Sequence, residues 1–191
     1  MTNRNLGEKY TLQRELGSGG MGTVYLGLDR TTNQQVAIKH LNVDSAQSEN
    51  IERFQREGEA LSDLNHPNIV KMLDMFEHDG QHYLVMDYIT GGDLSELIRE
   101  HSKIEVQQCI HMAIDLADAL TRAHKLNIIH RDLKPANVLI GNDDVLRLTD
   151  FGVAHVGSKE RVTETDAIIG TVDYLPPEAF NSEPYDARGD I

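Results

Sequence analysis

The hydrophobic pattern of this 191-residue chain changes its period once, and the change divides the fold into two parts. Before Thr90-Gly91-Gly92, apolar side chains alternate in short segments, as in strands with one buried face. After that stretch they recur at helical spacing. The pattern predicts an α+β fold with a five-stranded antiparallel sheet, whose strands cover Tyr10–Leu16, Thr23–Leu28, Gln35–Leu41, Ile69–Phe76 and Gln81–Tyr88.

Helices are predicted at three places. One lies between the third and fourth strands, where apolar residues recur at near-helical spacing over 51–64. In the second part, Asp93 is placed to cap a helix over Leu94–Glu100, and another apolar stripe runs over Val106–Leu120. A hairpin turn at Asp79-Gly80 and a left-handed residue at Asn127 complete this prediction.

These elements organise the chain into an N-terminal tail over 1–9, a small lobe over 10–88 and a mainly helical lobe over 89–191. The formal net charge of −13 disfavours binding to nucleic acid or anionic membranes. No stretch approaches the roughly 18 apolar residues that a membrane span needs. We therefore expect a cytoplasmic chain without a membrane segment.

The chain has a single cysteine, Cys109, which has no disulfide partner within the chain. Its place in a helical pattern predicts a buried structural thiol, and the absence of a disulfide fits a reducing compartment.

A glycine-rich segment, Gly17-Ser18-Gly19-Gly20-Met21-Gly22, follows the first predicted strand. Such clusters occur in phosphate-binding loops and also in plain hairpin turns. The next residues, Thr23-Val24-Tyr25-Leu26, alternate like a strand, whereas a dinucleotide-binding fingerprint opens a helix. We predict a strand–turn–strand flap whose glycines let backbone N–H groups approach phosphates.

Lys39 ends the alternating run Val36-Ala37-Ile38-Lys39, which suits either a solvated edge lysine or a phosphate contact. Glu57 favours the phosphate contact, because it shares a helix face with Phe54 and Leu61 that should pack on the sheet. Polar residues on packed faces need partners. An ion pair between Lys39 and Glu57 is therefore predicted.

The strongest local signal is His130-Arg131-Asp132-Leu133-Lys134-Pro135-Ala136-Asn137, followed after a predicted hairpin by Asp150-Phe151-Gly152. A carboxylate and an amide five residues apart, together with a second carboxylate, can gather around a metal ion and a hydroxyl nucleophile. The alternative, in which all of these are solvated turn residues, requires many independent coincidences.

With these residues the chain resembles the eukaryotic-like Ser/Thr protein kinases over residues 10–191. Lys134, two positions after Asp132, and Gly170-Thr171 are similar to the Ser/Thr branch. The flap and the Val162-Thr163-Glu164-Thr165 stretch are most similar to bacterial members. The resemblance implies a bilobal fold, with a five-stranded N-lobe that carries one helix and a mainly helical C-lobe that is incomplete.

The resemblance also implies ATP and Mg²⁺ as cofactors and assigns catalytic roles. Asp132 would orient the substrate hydroxyl and accept its proton, and Lys134 would steady the transferred γ-phosphoryl group. Asn137 and Asp150 would bind Mg²⁺.

For the nucleotide, the resemblance implies that Lys39, held by Glu57, contacts the α and β phosphates. The remaining nucleotide contacts would be the flap residues Leu16, Gly17, Ser18, Gly19, Gly20, Met21, Gly22 and Val24, the adenine and hinge residues Ala37, Met86, Asp87, Ile89 and Leu139, and Asp93 at the ribose.

Regulation is implied by Arg131, which in kinases of this type pairs with a phosphate on the activation loop. Thr163 and Thr165 are the predicted phosphorylation sites, modified by autophosphorylation that involves self-association. The expected partners are proteins that offer Ser or Thr hydroxyls.

The chain departs from the family at Pro176-Pro177-Glu178, where Ala-Pro-Glu is usual. It ends where the resemblance predicts that a long central helix begins. The resemblance also implies that Asp190 braces the catalytic loop. Two interpretations stay open, and a third is less favoured. The chain is part of an active kinase, or it is a catalytically incomplete nucleotide-binding fragment or pseudokinase-like interaction module, which would expose apolar surface on Val106–Leu120. The third interpretation, a small-molecule phosphotransferase of related fold, is disfavoured by Lys134 and by the Gly170–Glu178 segment.

Overall fold

The computed structural model describes residues 4–19, 22–41, 58, 61–101, 103–151, 172–180 and 186–191. The chain divides into two compact units. The first comprises 1–63, 71–88 and 154–157, and the second comprises 64–70, 89–153 and 158–191. The sheet therefore belongs to the first unit, and the His130–Asn137 tract belongs to the second.

One antiparallel sheet of six strands forms most of the described part of the first unit. Its strands are β1 (Arg4–Leu6), β2 (Tyr10–Gly19), β3 (Gly22–Asp29), β4 (Gln34–Leu41), β5 (Met72–His78) and β6 (Gln81–Asp87), in the order β1-β2-β3-β4-β6-β5. Successive residues of a strand point to opposite faces, so alternate positions collect on one buried face. The core of this unit consists of Leu6, Tyr10, Leu12, Val36, Ile38, Tyr83 and Val85.

Strand β1 lies in the segment predicted to be a tail, so that prediction is wrong for Arg4–Leu6, and the sheet has one strand more than expected. Leu6 lies opposite Tyr10 in the pairing of β1 with β2 and is only 2% exposed. Gly7 makes the turn with a φ of 61°, a conformation that favours glycine. A three-residue strand with one apolar side chain shows no alternation, which is why its sequence pattern does not reveal it.

The start of β2 is tied to β5, although three strands separate them in the sheet order. The Tyr10 hydroxyl donates to Asp74 Oδ2 at 2.8 Å, and Lys9 Nζ donates to the same oxygen at 2.6 Å. The ring centroid of Phe76 lies 5.3 Å from that of Tyr10 and 5.3 Å from that of Tyr83. These contacts require the sheet to curl.

The fourth predicted strand begins later than expected, at Met72. Its predicted first residue, Ile69, belongs to the second unit and forms a parallel bridge with Leu148. The N–H of Val70 donates to the carbonyl of Leu148 at 2.8 Å, and the N–H of Leu148 donates to the carbonyl of Asn68 at 2.9 Å. The apolar run over Ile69–Phe76 therefore pairs first with Leu148 in the second unit and then, from Met72, with β6 in the first unit.

The described part of the second unit combines helices with a small hairpin. Its helices are α1 (Leu94–His101), α2 (Val106–Lys125) and α3 (Pro177–Phe180), and its strands are β7 (Val138–Ile140) and β8 (Leu146–Leu148). Single 3₁₀ turns cover Pro135–Asn137, Val172–Tyr174 and Ala187–Asp190.

Local signals that were read from the sequence are confirmed at three positions. Asp93 Oδ1 accepts the N–H of Glu96 at 2.9 Å, so Asp93 caps α1 as predicted. Asn127, after α2, has a φ of 58°, and the Asp79-Gly80 turn has φ values of 52° and 73°. Each of these features depends only on neighbouring residues.

Helix α2 is buried only near its C-terminal end, at Ala119, Leu120 and Ala123. Val106 and Ile110, from the predicted apolar stripe, are 73% and 54% exposed. Cys109 is exposed as well, so the predicted buried thiol is wrong. Periodicity identifies one face of a helix, but burial depends on what packs against that face. None of the helices in the described parts of the chain is both long and apolar enough to cross a bilayer.

Leu6→Ala should lower the free energy of unfolding by about 2–5 kcal/mol, because it leaves a cavity in the core of the first unit. Arg4→Ala, at an exposed position of the same strand, should change it by less than about 0.5 kcal/mol. Urea unfolding followed by circular dichroism measures both. Equal, small effects of the two substitutions would show that β1 does not belong to the folded sheet.

Candidate active site

The glycine-rich segment lies at the ends of β2 and β3, where Ser18 pairs with Thr23 and Gly19 with Gly22. A strand follows it, as predicted, and not a helix. Gly22 has a φ of 137°, and a Cβ there would overlap the carbonyl oxygen of His40, so packing and conformation both require glycine.

Gly17 and Gly19 differ from Gly22. Neither has a left-handed φ, and a Cβ on either would meet nothing within 4 Å. Neither backbone conformation nor the described packing therefore accounts for glycine at these two positions. Open space above a glycine backbone is what a closely approaching ligand needs.

Lys39 lies on β4, with β3 and β6 on its two sides, and is only 6% exposed. The alternative of a solvated edge lysine is therefore wrong. Removing an ammonium group from water costs free energy unless the group is paired or hydrogen-bonded. Its predicted partner, Glu57, lies outside the described residues.

Four predicted nucleotide contacts share one face of the first unit's sheet. Val24 lies opposite Lys39 in the pairing of β3 with β4, and Ala37 lies opposite Met86 in the pairing of β4 with β6. Directly opposed residues project to the same face, and residues two apart on a strand do so as well. Ile38 belongs to the core on the other face. The four side chains therefore project away from that core.

The other predicted contacts of the first unit are more exposed or are not described. Leu16 on β2 and Asp87 at the end of β6 are exposed. Gly20 and Met21 lie outside the described residues, as do Thr163 and Thr165.

In the second unit, Asp132, Lys134 and Asn137 form one hydrogen-bonded cluster. Asp132 Oδ2 accepts from Asn137 Nδ2 at 2.9 Å and lies 2.8 Å from Lys134 Nζ. Asn137 Nδ2 also donates to the main-chain carbonyl of Asp132 at 2.7 Å. The 3₁₀ turn over Pro135–Asn137 brings the amide back to the carboxylate, so residues five apart in sequence meet.

Asp150 is held near this cluster by the backbone. The N–H of Thr149 donates to the carbonyl of Asn137 at 3.0 Å, and Asp150 is the next residue, with a φ of 61°. No sequence pattern indicates the role of Thr149, because its contacts use only main-chain atoms.

The His130 ring joins the same segments. Its Nδ1 accepts the N–H of Asp132 at 3.3 Å, and its Nε2 donates to the carbonyl of Thr149 at 2.9 Å. The ring centroid lies 4.6 Å from that of Phe151. A ring with one accepting and one donating nitrogen is the neutral imidazole. Burial lowers the pKa of His130 from its ordinary 6.5, although the carbonyl of Thr149 opposes this shift.

Asp190 braces the backbone of the His130–Asn137 loop, as predicted. It is buried, and its Oδ2 accepts the main-chain N–H of His130 at 2.8 Å while its Oδ1 accepts that of Arg131 at 2.9 Å. His124 Nε2 lies 2.8 Å from Asp190 Oδ2, so this histidine contacts the same carboxylate.

The predicted ribose and adenine positions of the second unit are also neighbours. Asp93 forms an antiparallel bridge with Leu139 of β7, and both are half-buried. Ile89, predicted at the hinge, precedes them and is half-buried as well.

Comparison with known sequences matches residues 10–191 to the family model described as protein kinase domain. The serine/threonine-protein kinase PrkC of Bacillus subtilis is 37% identical over 189 residues, which cover 98% of this chain. The serine/threonine-protein kinase PknB of Mycobacterium leprae is 37% identical over 193 residues, again 98% of this chain. The chain spans only 29% and 31% of the lengths of these relatives.

Among solved structures, the chain is similar to the PknI kinase domain of Mycobacterium tuberculosis, with a TM-score of 0.75 and 31% sequence identity. The match covers 99% of this chain and 73% of that domain.

The stability of the chain should fall as the pH drops below about 6.5, because His130 is buried as the neutral imidazole. Its folded pKa is lowered, so the unfolded state binds more protons below pH 6.5, and the stabilisation present above that pH is lost as the pH falls through the folded pKa. Thermal unfolding between pH 8 and pH 5 measures this dependence.

His130→Gln should flatten this pH dependence, since it removes the titrating group. His111→Gln, at an exposed position, should retain the full slope. The assignment is wrong if the two variants show the same slope as the wild type.

Proposed function

The chain belongs to the protein kinase family, and we propose that it transfers the γ-phosphoryl group of Mg-ATP to Ser and Thr hydroxyls of proteins. The cluster of Asp132, Lys134 and Asn137 carries the proposal, because it holds a buried carboxylate, a cation and an amide within hydrogen-bonding distance. Phosphoryl transfer asks for positioned groups and charge stabilisation more than for covalent chemistry.

Asp132 is the proposed acceptor of the substrate proton. Its Oδ2 is held by Asn137 and Lys134, so the carboxylate has a fixed orientation in which it can accept from a substrate hydroxyl. As the substrate oxygen bonds the γ-phosphorus, its proton passes to Asp132, and the bond to the β–γ bridging oxygen breaks so that ADP leaves with the electron pair. Lys134 offsets negative charge on the transferred group.

Asn137 and Asp150 are the proposed Mg²⁺ ligands. Asn137 uses its Nδ2 for Asp132, so its Oδ1 is left as the kind of oxygen ligand that Mg²⁺ prefers. The backbone bond from Thr149 to Asn137 keeps Asp150 on the adjacent segment. The ion, when bound, would neutralise charge on the phosphate oxygens.

In the first unit, Gly17 and Gly19 are proposed to lay main-chain N–H groups over the phosphates, since the space above them is open. Lys39, with Glu57 as its partner, is proposed to contact the α and β phosphates. The shared face of Val24, Ala37 and Met86 would supply apolar contacts to the adenine.

Regulation by phosphorylation is proposed to act through Arg131. Its Nε is buried, and among the described residues it has no hydrogen-bond partner. A buried guanidinium nitrogen of this kind favours an anionic partner. Phosphorylated Thr163 or Thr165 would supply that anion, added by a second copy of the chain.

A second candidate function is an interaction module that binds nucleotide without phosphoryl transfer. One observation favours it: Val106, Ile110 and Ile114 of α2 are all more than half exposed. Neighbouring exposed apolar side chains are typical of surfaces that other protein segments cover.

Asp132→Asn should reduce phosphoryl transfer by about 10²–10⁴-fold, because the proton acceptor is lost, while the Kd for ATP stays within about threefold. Incubation with radiolabelled ATP, Mg²⁺ and a basic acceptor protein measures transfer, and calorimetry measures binding. Asp143→Asn, in the exposed turn between β7 and β8, is the control and should leave both unchanged. Wild-type protein that binds ATP but transfers nothing would instead support the interaction module.

Mass spectrometry of the wild-type chain after incubation with Mg-ATP should find phosphate on Thr163 or Thr165. The Asp132→Asn chain, treated in the same way, should carry none, because transfer depends on that carboxylate. If neither threonine is modified in the active wild-type chain, the proposal that one of them supplies a phosphate to Arg131 is wrong.

A further inference from the structure

The backbone of residues 91–93 approaches strand β7 more closely than a side chain on Gly91 would allow. A Cβ built on Gly91 would overlap the carbonyl oxygen of Ile140, and it would lie 3.0 Å from Ile140 C and 3.2 Å from Gly141 C. These are main-chain atoms, which cannot rotate away. The φ of Gly91 is not left-handed, so close approach, and not conformation, requires glycine here.

This close approach continues along the chain as strand pairing. The N–H of Ile140 donates to the carbonyl of Gly92 at 2.9 Å, and Asp93 bridges Leu139. Residues 92 and 93 therefore extend the β7–β8 hairpin on its outer side. A side chain on Gly91 would push this segment away from β7 and break the bond to Ile140.

The bridge joins two positions that the resemblance to protein kinases assigns to one nucleoside, Asp93 to the ribose and Leu139 to the adenine. The orientation of Asp93 is already set, because its Oδ1 accepts the N–H of Glu96 at 2.9 Å and the hydroxyl of Ser95 at 2.6 Å. What remains to be fixed is how far Asp93 stands from Leu139. The packing of Gly91 on Ile140 fixes it.

We propose that Gly91 is a positioning residue that sets the spacing between Asp93 and Leu139, and through that spacing the affinity for the nucleoside part of ATP. The inference rests on the proposed function and deepens it. Gly91 is not proposed to contact a phosphate. A substitution there should therefore lower the affinity by the same factor for every ligand that contains adenosine.

Gly91→Ala and Gly141→Ala are matched tests on the same hairpin. A Cβ on Gly141 would meet Asp143 Oδ1 and Arg147 Nη1, which are the ends of exposed or flexible side chains and can move. Calorimetry gives the Kd values for adenosine, ADP and ATP, and hydrogen exchange gives the protection of the Ile140 amide. Gly91→Ala should weaken all three ligands by a common factor of about tenfold, which is about 1.4 kcal/mol, and expose the Ile140 amide. Gly141→Ala should change neither.

Unchanged affinities in Gly91→Ala would overturn the inference, and so would a loss confined to the ligands with phosphates. If the wild type binds none of the three ligands, the proposed function fails, and the nucleoside role of Gly91 fails with it. Wild-type binding that Gly91→Ala does not alter overturns this inference alone.

The wild-type chain offers a second measurement if Gly91→Ala does not fold. Adenosine should raise the exchange protection of the Ile140 amide, because a ligand that contacts Asp93 and Leu139 would clamp their bridge. The Gly141 amide, which donates to the carbonyl of Val145 at 3.0 Å within the hairpin, should change less. Equal changes at the two amides would overturn the inference.

Discussion

The conformation of the His130–Asn137 loop depends on one buried carboxylate. Asp190 accepts the main-chain N–H groups of two consecutive residues, His130 and Arg131. Two successive N–H groups can point at one carboxylate only if the backbone turns sharply, and Arg131 does so with a φ of 68°. Such a residue costs about 1–3 kcal/mol of strain, whereas hydrogen bonds to a charged acceptor contribute about 1.5–3 kcal/mol each. The carboxylate thus stabilises a turn that the chain would otherwise avoid.

Contacts with main-chain groups connect this turn to the neighbouring segments of the site. The imidazole of His130 joins the N–H of Asp132 to the carbonyl of Thr149, and Thr149 in turn donates to the carbonyl of Asn137. The imidazole, N–H and carbonyl groups of this series all have partners, so their burial carries little desolvation penalty. The proposed catalytic groups are therefore positioned by a rigid polar framework, which suits a reaction governed by placement of charge.

Much of the fold could be predicted because its signals are local. Alternation located the five longer strands, and the turn at Asp79-Gly80 and the cap at Asp93 follow from residues beside them. The candidate site could be predicted from its motifs, which resemble those of the protein kinases. The roles of its residues in catalysis stay predictions.

The features that could not be predicted from the sequence share a different cause, since each depends on residues far away in the chain. β1 has a single apolar side chain, and its burial comes from the core that other strands build. Cys109 lies on a helical face whose exposure no periodicity can reveal. Thr149 acts through atoms that every residue has, and the neighbour of Gly91 is a carbonyl much later in the chain.

The stacked rings of the first unit have a consequence for optical spectroscopy. The chain has no tryptophan and six tyrosines, and Tyr10 and Tyr83 both stack against Phe76. Rings held in fixed mutual orientation couple electronically, so these two tyrosines should dominate the near-ultraviolet circular dichroism of the chain. The near-ultraviolet signal of these tyrosines thus reports on the packing of the sheet. Unfolding of the first unit can therefore be followed separately from the loss of helix, which is measured in the far ultraviolet.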